Sequence, residues 1–250
     1  MRYKVVIAYD GSKFIGWQVN PLGPSVLSTL NRAFKVIYKE DLDLVGSGRT
    51  DRGVSALGQV FHFDAPFFIE EDRLLYALNN QLHPYIHIRE IVSTEDDFHA
   101  RYHALAKHYR YTIETGPYQV LEADYVMQLN KALDVDLMEQ VAGIFKGTHD
   151  FTSFNTTTLA ENENQVRTIL KLQVSVNQSK VMIDFIGTGF LRYMVRMMAQ
   201  TMIEVGLLRL SVREVEAMLL AKQKGVCRYK APANGLVLHQ VFYDKAFIDL

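Results

Sequence analysis

Only one cysteine, Cys227, stands in 250 residues, so no disulfide can form within the chain. Such a chain suits a reducing compartment. Long apolar runs are missing as well. The richest is broken by charge, as in Met194-Val195-Arg196-Met197-Met198, and none reaches the roughly 18 to 20 residues that a bilayer-crossing helix needs. No membrane span is expected. The opening residues Met1-Arg2-Tyr3-Lys4-Val5-Val6-Ile7 enter a strand-like pattern at once and lack signal-peptide anatomy, so a cytoplasmic location is expected. Low-complexity tracts are absent. So is any surplus of positive charge: 27 Lys and Arg stand against 28 Asp and Glu, a net charge of -1. Evenly spread, that balance would exclude a nucleic-acid binder, because phosphate binding rests on cationic neutralisation.

The charge is not evenly spread. Arg101, Lys107 and Arg110 fall close together, Arg192 and Arg196 stand one helical turn apart, and Lys222, Lys224, Arg228 and Lys230 cluster near the C-terminus. Acidic residues gather elsewhere, at Glu70-Glu71-Asp72, at Glu95-Asp96-Asp97, and at Glu161 and Glu163. This segregation fits one basic face on a near-neutral protein. With 48% hydrophobic and 22% charged residues the chain can bury one large core or two modest ones.

Periodicity divides the chain into alternating strands and helices. Residues 3–9 read as a strand, and 26–38 as an amphipathic helix with Leu27, Leu30, Phe34 and Ile37 on one side. Apolar runs at 42–45 and 60–63 read as strands, 74–79 as a helix and 86–92 as a strand. In 109–114, Tyr109, Tyr111 and Ile113 alternate with Arg110, Thr112 and Glu114, the pattern of a half-exposed strand with an aromatic face. A helix at 136–146, a hairpin of 169–176 with 181–186, helices at 190–205 and 212–221, and a strand at 236–243 follow. The pattern suggests an α+β protein of two halves, 1–105 and 106–250, sharing antiparallel sheet.

The segment Gly46-Ser47-Gly48-Arg49-Thr50-Asp51-Arg52-Gly53-Val54-Ser55-Ala56-Leu57-Gly58-Gln59 carries the most chemistry. It sets one carboxylate, Asp51, among two arginines and four glycines between two strand-like runs. Glycine lets a backbone take positive φ and approach a ligand closely. Arginines beside an aspartate offer donors to phosphate and favour its ionised form. In most proteins such a pair is a surface ion pair worth ~0 to 1 kcal/mol. Here the wording of the segment resembles the active-site loop of the TruA-type tRNA pseudouridine synthases.

Further motifs resemble the same family in the same order. They are Tyr9-Asp10-Gly11-Ser12 with Gly16-Trp17-Gln18; Asp97-Phe98-His99-Ala100-Arg101 followed by Lys107-His108-Tyr109-Arg110-Tyr111; and Gly147-Thr148-His149-Asp150-Phe151 with Val166-Arg167-Thr168-Ile169. Gly189-Phe190-Leu191-Arg192-Tyr193-Met194-Val195-Arg196 with Glu204-Val205-Gly206, and Ala231-Pro232-Ala233-Asn234-Gly235-Leu236, complete the series. The chain departs from the family pattern in four places: Ser55 stands where histidine is usual, Arg52 where a small or variable residue is usual, Leu27 where glutamine is common, and Met197-Met198-Ala199-Gln200 after Arg196 lack the glycine often found there.

The resemblance implies the pseudouridine synthase fold, two related halves around a central antiparallel sheet flanked by helices, assembled as a homodimer. It implies isomerisation of uridine to pseudouridine in the anticodon arm of tRNA, at the positions conventionally numbered 38 to 40. No redox change or group donor enters that reaction, so no cofactor and no metal is implied. Asp51, Tyr109 and Arg196 match the catalytic positions: Asp51 as nucleophile at the anomeric carbon or base on the sugar, Arg196 as the cation that keeps it ionised, Tyr109 as stacking wall or proton relay. Arg49, Arg52, Arg101, Lys107, Arg110 and Leu238 are the expected substrate-binding residues, Arg49 filling the space that an extruded base vacates. His99, His103 and His108 carry neither cysteine nor metalloprotease spacing beside them, and His149-Asp150 reads as part of a structural loop. A non-catalytic RNA chaperone on the same scaffold and a small-molecule acid-base enzyme are the rival readings.

Overall fold

The structure is a computed structural model in which residues 1–247 are described. In chain order the elements are β1 (Arg2–Tyr9), α1 (Val26–Tyr38), β2 (Val45–Gly46), β3 (Ser55–Asp64), α2 (Glu71–Leu82), β4 (Ile86–Thr94) and β5 (Ala106–Glu114). Then come β6 (Met127–Gln128), α3 (Val135–Phe145), β7 (Gly147–Asp150), β8 (Val166–Asn177), β9 (Lys180–Gly187), α4 (Met194–Gly206), α5 (Val212–Ala221) and β10 (Leu236–Phe242). They divide into two compact units, one of Met1–Leu105 with the chain from Val237 onward, the other Ala106–Leu236. The expected division into 1–105 and 106–250 differs in the placing of β10. That strand pairs in parallel with β3, Val237 opposite Ser55 and Leu238 opposite Ala56, and so joins the first unit.

In the first unit β1 lies between β3 and β4, antiparallel to both. Its alternation buries Tyr3, Val5, Ile7 and Tyr9 and leaves the residues between them half-exposed. Helix α1 is started by a reciprocal cap, Ser25 and Ser28 each accepting the other's backbone N–H, and it stops at Lys39, whose φ of 65° is left-handed. Its buried face is Val26, Leu30, Ala33, Phe34 and Tyr38, rotated from the expected stripe, so Leu27 and Ile37 are only half-buried. Aromatic packing sets that rotation: the Phe34 ring stands edge-on to Phe63 at 4.8 Å and to Phe61 at 5.8 Å. Asn79 of α2 ties the helix to β4, donating to Ile88 O at 3.0 Å and accepting from Ile88 N at 2.7 Å.

The second unit is built on the antiparallel run β5-β9-β8-β7, with β6 parallel to β5. Helices α3 and α4 pack together, and α3 also lies on β8. Met194, Met197, Met198 and Met202 of α4 are buried core residues. Each unit thus mixes antiparallel strands with helices, the α+β class expected. No described helix is long and apolar enough to cross a membrane.

Several boundaries differ from expectation: the strand expected at 42–45 is the short β2 at Val45–Gly46, and the helix expected at 74–79 runs over Glu71–Leu82. Strand β3 begins at Ser55, five residues before the expected 60, so it emerges directly from the Asp51 loop. Residues 147–150 form β7. Helix α4 begins at Met194, not 190, because Tyr193 takes a left-handed conformation, φ 62°. Arg192 therefore lies off the helix and does not form a stripe with Arg196. Its guanidinium is bound to Thr156 O at 2.8 Å and to Glu161 at 3.0 and 3.1 Å.

Candidate active site

The Asp51 loop is braced from three sides within the first unit. Buried Gln59 spans its base, its amide oxygen accepting from Ser47 Oγ at 2.7 Å and its amide nitrogen donating to Gly48 O at 3.0 Å. The indole of Trp17 packs on Gly46, where a Cβ would lie only 2.7 Å from the ring; Trp17 N donates to Thr50 O at 3.2 Å. Tyr9 and Thr50 share a buried hydroxyl bond of 2.8 Å. The turn after Asp51 closes through Val54 N to Asp51 O at 3.1 Å, with Gly53 at φ 80°, a value that only glycine takes cheaply. Ser47, Gly48, Thr50 and the Asp51 carbonyl are thereby each held by a hydrogen bond. Asp51 itself is half-buried, while Arg49 and Arg52 are exposed and make no ion pair among the described residues. Their guanidiniums face solvent, the state in which they are able to meet phosphate.

Loss of the central brace has a measurable cost. Gln59→Ala removes a buried amide that accepts from Ser47 Oγ and donates to the Gly48 carbonyl, at about 3 kcal/mol. Melting is expected to fall by roughly 6 to 12 °C in calorimetry. An unchanged melting temperature would show that the brace is dispensable.

Tyr109 and Arg196 belong to the second unit. Tyr109 is buried on β5, its ring edge-on to Phe190 at 5.3 Å. On the opposite face of the same strand His108 and Arg110 converge on Asp184 of β9: His108 Nε2 at 2.5 Å, Arg110 Nε at 2.9 Å and an Arg110 terminal nitrogen at 3.1 Å. Burial alone would raise the Asp184 carboxyl; the bonds from His108 and Arg110 outweigh it and hold the group below its ordinary value. Arg110 is thus a tied cation. Arg196, on the first turn of α4, donates from Nε to Ala231 O at 2.8 Å, while Ala231 N donates to Arg196 O at 3.0 Å. Its charge also reaches Tyr111, whose phenol is pushed up by burial and eased down by Arg196.

A family model described as tRNA pseudouridine synthase matches residues 141–244. Over 247 residues the chain is 39% identical to tRNA pseudouridine synthase A of Bacillus licheniformis, which covers 98% of this chain and 100% of that protein. It is equally similar, 39% over 247 residues with the same coverage, to tRNA pseudouridine synthase A of Bacillus subtilis. With the enzyme of that name from Shouchella clausii it shares 40% over 244 residues, 96% of this chain and 92% of the other. The chain belongs to the tRNA pseudouridine synthase A family.

Two of the departures from the family pattern, Ser55 and Leu27, take part in local hydrogen bonds. Ser55 Oγ accepts from Gly11 N at 2.9 Å, so the serine ties the Asp10-Gly11-Ser12 turn to the end of the Asp51 loop. Leu27 N donates to Trp17 O at 3.0 Å, a backbone bond indifferent to the side chain. Leu238 is 1% exposed on β10, opposite Ala56, one residue beyond the point where β3 leaves the loop.

The remaining cations of this family member sort by what they touch. Arg101 is exposed on a turn whose N–H groups at Arg101 and Tyr102 both donate to His99 Nδ1, at 3.1 and 3.2 Å, and its guanidinium lies 5.9 Å from the Tyr102 ring. Lys107 is half-buried on β5. Lys224 is bound by Asn155 Oδ1 at 2.7 Å and Gln165 Oε1 at 3.0 Å, whereas Lys222, Arg228 and Lys230 are exposed. Among the described residues no three His, Cys, Asp or Glu side chains form a group able to hold a metal ion. His149 bonds Lys146 O at 2.9 Å while Asp150 accepts from Thr152, so each partner of that sequence pair serves its own turn. Sequence reading missed Gln59 and Tyr9 as supports of the loop, and assigned no role to the Gly16-Trp17-Gln18 motif.

Proposed function

We propose that this chain isomerises uridine to pseudouridine in the anticodon arm of tRNA, at the positions conventionally numbered 38 to 40, with Asp51 acting on the sugar. The observation that carries the reading is the braced loop, which offers one carboxylate between two exposed arginines in a chain whose full length matches tRNA pseudouridine synthases. The reaction is an isomerisation. The bond from N1 to C1′ breaks, a bond from C5 to C1′ forms, the C5 proton departs and N1 gains one, so the formula is unchanged and no electron or group need be supplied. Asp51 meets this need either as nucleophile at C1′ or as base on the sugar. Tyr109 forms a wall for the turned base and a path for its departing proton, and Arg196 supplies the fixed positive charge that offsets desolvation when the base excludes water. Activity is expected to survive exhaustive chelation of divalent metal provided the tRNA stays folded; loss reversed by a single transition metal would contradict a metal-free site.

The deciding experiment incubates the protein with unmodified tRNA carrying uridine at candidate positions and maps the pseudouridine formed. Product at 38 to 40 is expected. Product elsewhere would correct the target, and binding without product would favour the RNA-chaperone reading. Two copies acting together as a homodimer would enlarge the basic face presented to one RNA.

Affinity is expected to fall steeply with salt despite the net charge of -1, since exposed Arg49, Arg52 and Arg101 would each release counterions on meeting phosphate. Arg101→Ala is expected to reduce the slope of log K against log salt by about 1. Arg110→Ala removes the bidentate partner of Asp184, so it is expected to appear chiefly as lost thermal stability. A flat salt response in the unaltered protein would favour a small-molecule substrate.

A further inference from the structure

Tyr193 holds a backbone conformation that its side chain disfavours. Its φ of 62° and ψ of 2° lie in the left-handed region, uncommon for any residue but glycine and an outlier for a bulky one. No side-chain cap bond at this helix start offsets the strain. What the conformation does secure is the position of the ring. The Arg196 guanidinium lies 5.2 Å from the ring centroid and the Lys230 ammonium 4.5 Å from it, both within cation–π range. The residue following Lys230 is Ala231, which grips Arg196 twice, through its carbonyl on Nε and its N–H on the Arg196 carbonyl. The ring and the Lys230–Ala231 segment therefore both bear on the Arg196 guanidinium, one on its face and one on its Nε. Strain retained at a single residue beside a functional cation is the pattern expected where geometry is kept at a cost in stability.

We propose that Tyr193 is a positioning residue for Arg196: its strained backbone holds the aromatic face against the guanidinium so that the fork is presented in a single orientation for the sugar chemistry. The inference rests on the reading that Arg196 serves the active site. A planar guanidinium gives its full attraction to a carboxylate only when its donors are aimed, and an arginine free to swing spreads that attraction over many orientations. The ring, and not the phenol hydroxyl, carries this role.

The test measures kcat, KM for tRNA and melting temperature in Tyr193→Gly, Tyr193→Phe and Arg196→Met. Glycine accepts the left-handed conformation without strain but removes the ring, so Tyr193→Gly is expected to lower kcat by roughly 10-fold to 100-fold while KM changes by less than about threefold and melting is unchanged or higher. Tyr193→Phe keeps the ring and is expected to retain kcat within about twofold. Arg196→Met is expected to lose more than either. Full kcat in Tyr193→Gly beside a crippled Arg196→Met would overturn the positioning role and leave the Arg196 reading standing. Full kcat in Arg196→Met would overturn both. A Tyr193→Gly defect confined to KM, or one that follows a fall in melting temperature, would assign the ring to RNA contact or to packing and would likewise overturn the proposal.

Discussion

Asp51→Asn is expected to abolish pseudouridine formation, by roughly four orders of magnitude or about 5.5 kcal/mol of transition-state stabilisation, while tRNA affinity changes by less than about twofold. The amide keeps the size of the side chain but loses the anionic oxygen that either route at the sugar requires. Fold and binding should survive because the braces pass elsewhere: through Gln59 to Ser47 and Gly48, through Trp17 N to Thr50 O, through the Tyr9–Thr50 hydroxyl pair and through Val54 N to the Asp51 carbonyl. Asparagine keeps every one of these. Single-turnover assays with unmodified tRNA, paired with a filter-binding isotherm, separate chemistry from affinity. Appreciable turnover by Asp51→Asn would remove the carboxylate from the mechanism. Tight binding without turnover would also dispose of the small-molecule reading.

Local chemistry was legible in the sequence to the extent that it was written locally. The glycines of residues 46–59 declared a loop, and the structure gives two of them definite work, Gly53 by its positive φ and Gly46 by its contact with Trp17. Helix α1 was visible from its apolar spacing, but its rotation was not. That depends on Phe34 meeting Phe61 and Phe63, partners from a strand later in the chain. The start of α4 was misplaced for a related reason: Phe190 to Tyr193 continue an apolar rhythm, and a non-glycine residue gives no sign that it will turn left-handed. Strand β10 read correctly as a strand, yet its parallel pairing with β3 spans most of the chain and leaves no mark in the sequence.

Cations illustrate the same limit. In sequence Arg101, Arg110, Arg192 and Lys224 look alike. In the structure Arg110 is held by Asp184, Arg192 by Glu161 and Thr156, and Lys224 by Asn155 and Gln165, all partners at least 31 residues away. Only contacts of that range distinguish a cation that braces the fold from one, such as Arg101, that faces solvent.

Arg49→Ala should be severely impaired, by roughly 100-fold, on an anticodon arm whose target uridine is paired and stacked, yet within about tenfold of the unaltered protein when that uridine is already unpaired. The argument begins with position. Arg49 stands two residues from Asp51, its side chain exposed and outside any ion pair among the described residues, on a loop whose backbone is anchored at Gly48 and Thr50 on either side. A planar guanidinium so placed is able to enter the space a departing base leaves, or to hold the phosphate of the extruded nucleotide. Extrusion from a duplex costs a few kcal/mol, and a mismatch or loop removes most of that cost in advance. If Arg49 serves that step, a substrate that needs no extrusion restores the variant. Asp51→Asn should show no such rescue, because its deficit lies in the chemistry that both substrates share. Equal impairment of Arg49→Ala on the two substrates would instead place the arginine in the chemical step or in the orientation of Asp51, and the division of labour between these two residues would have to be given up.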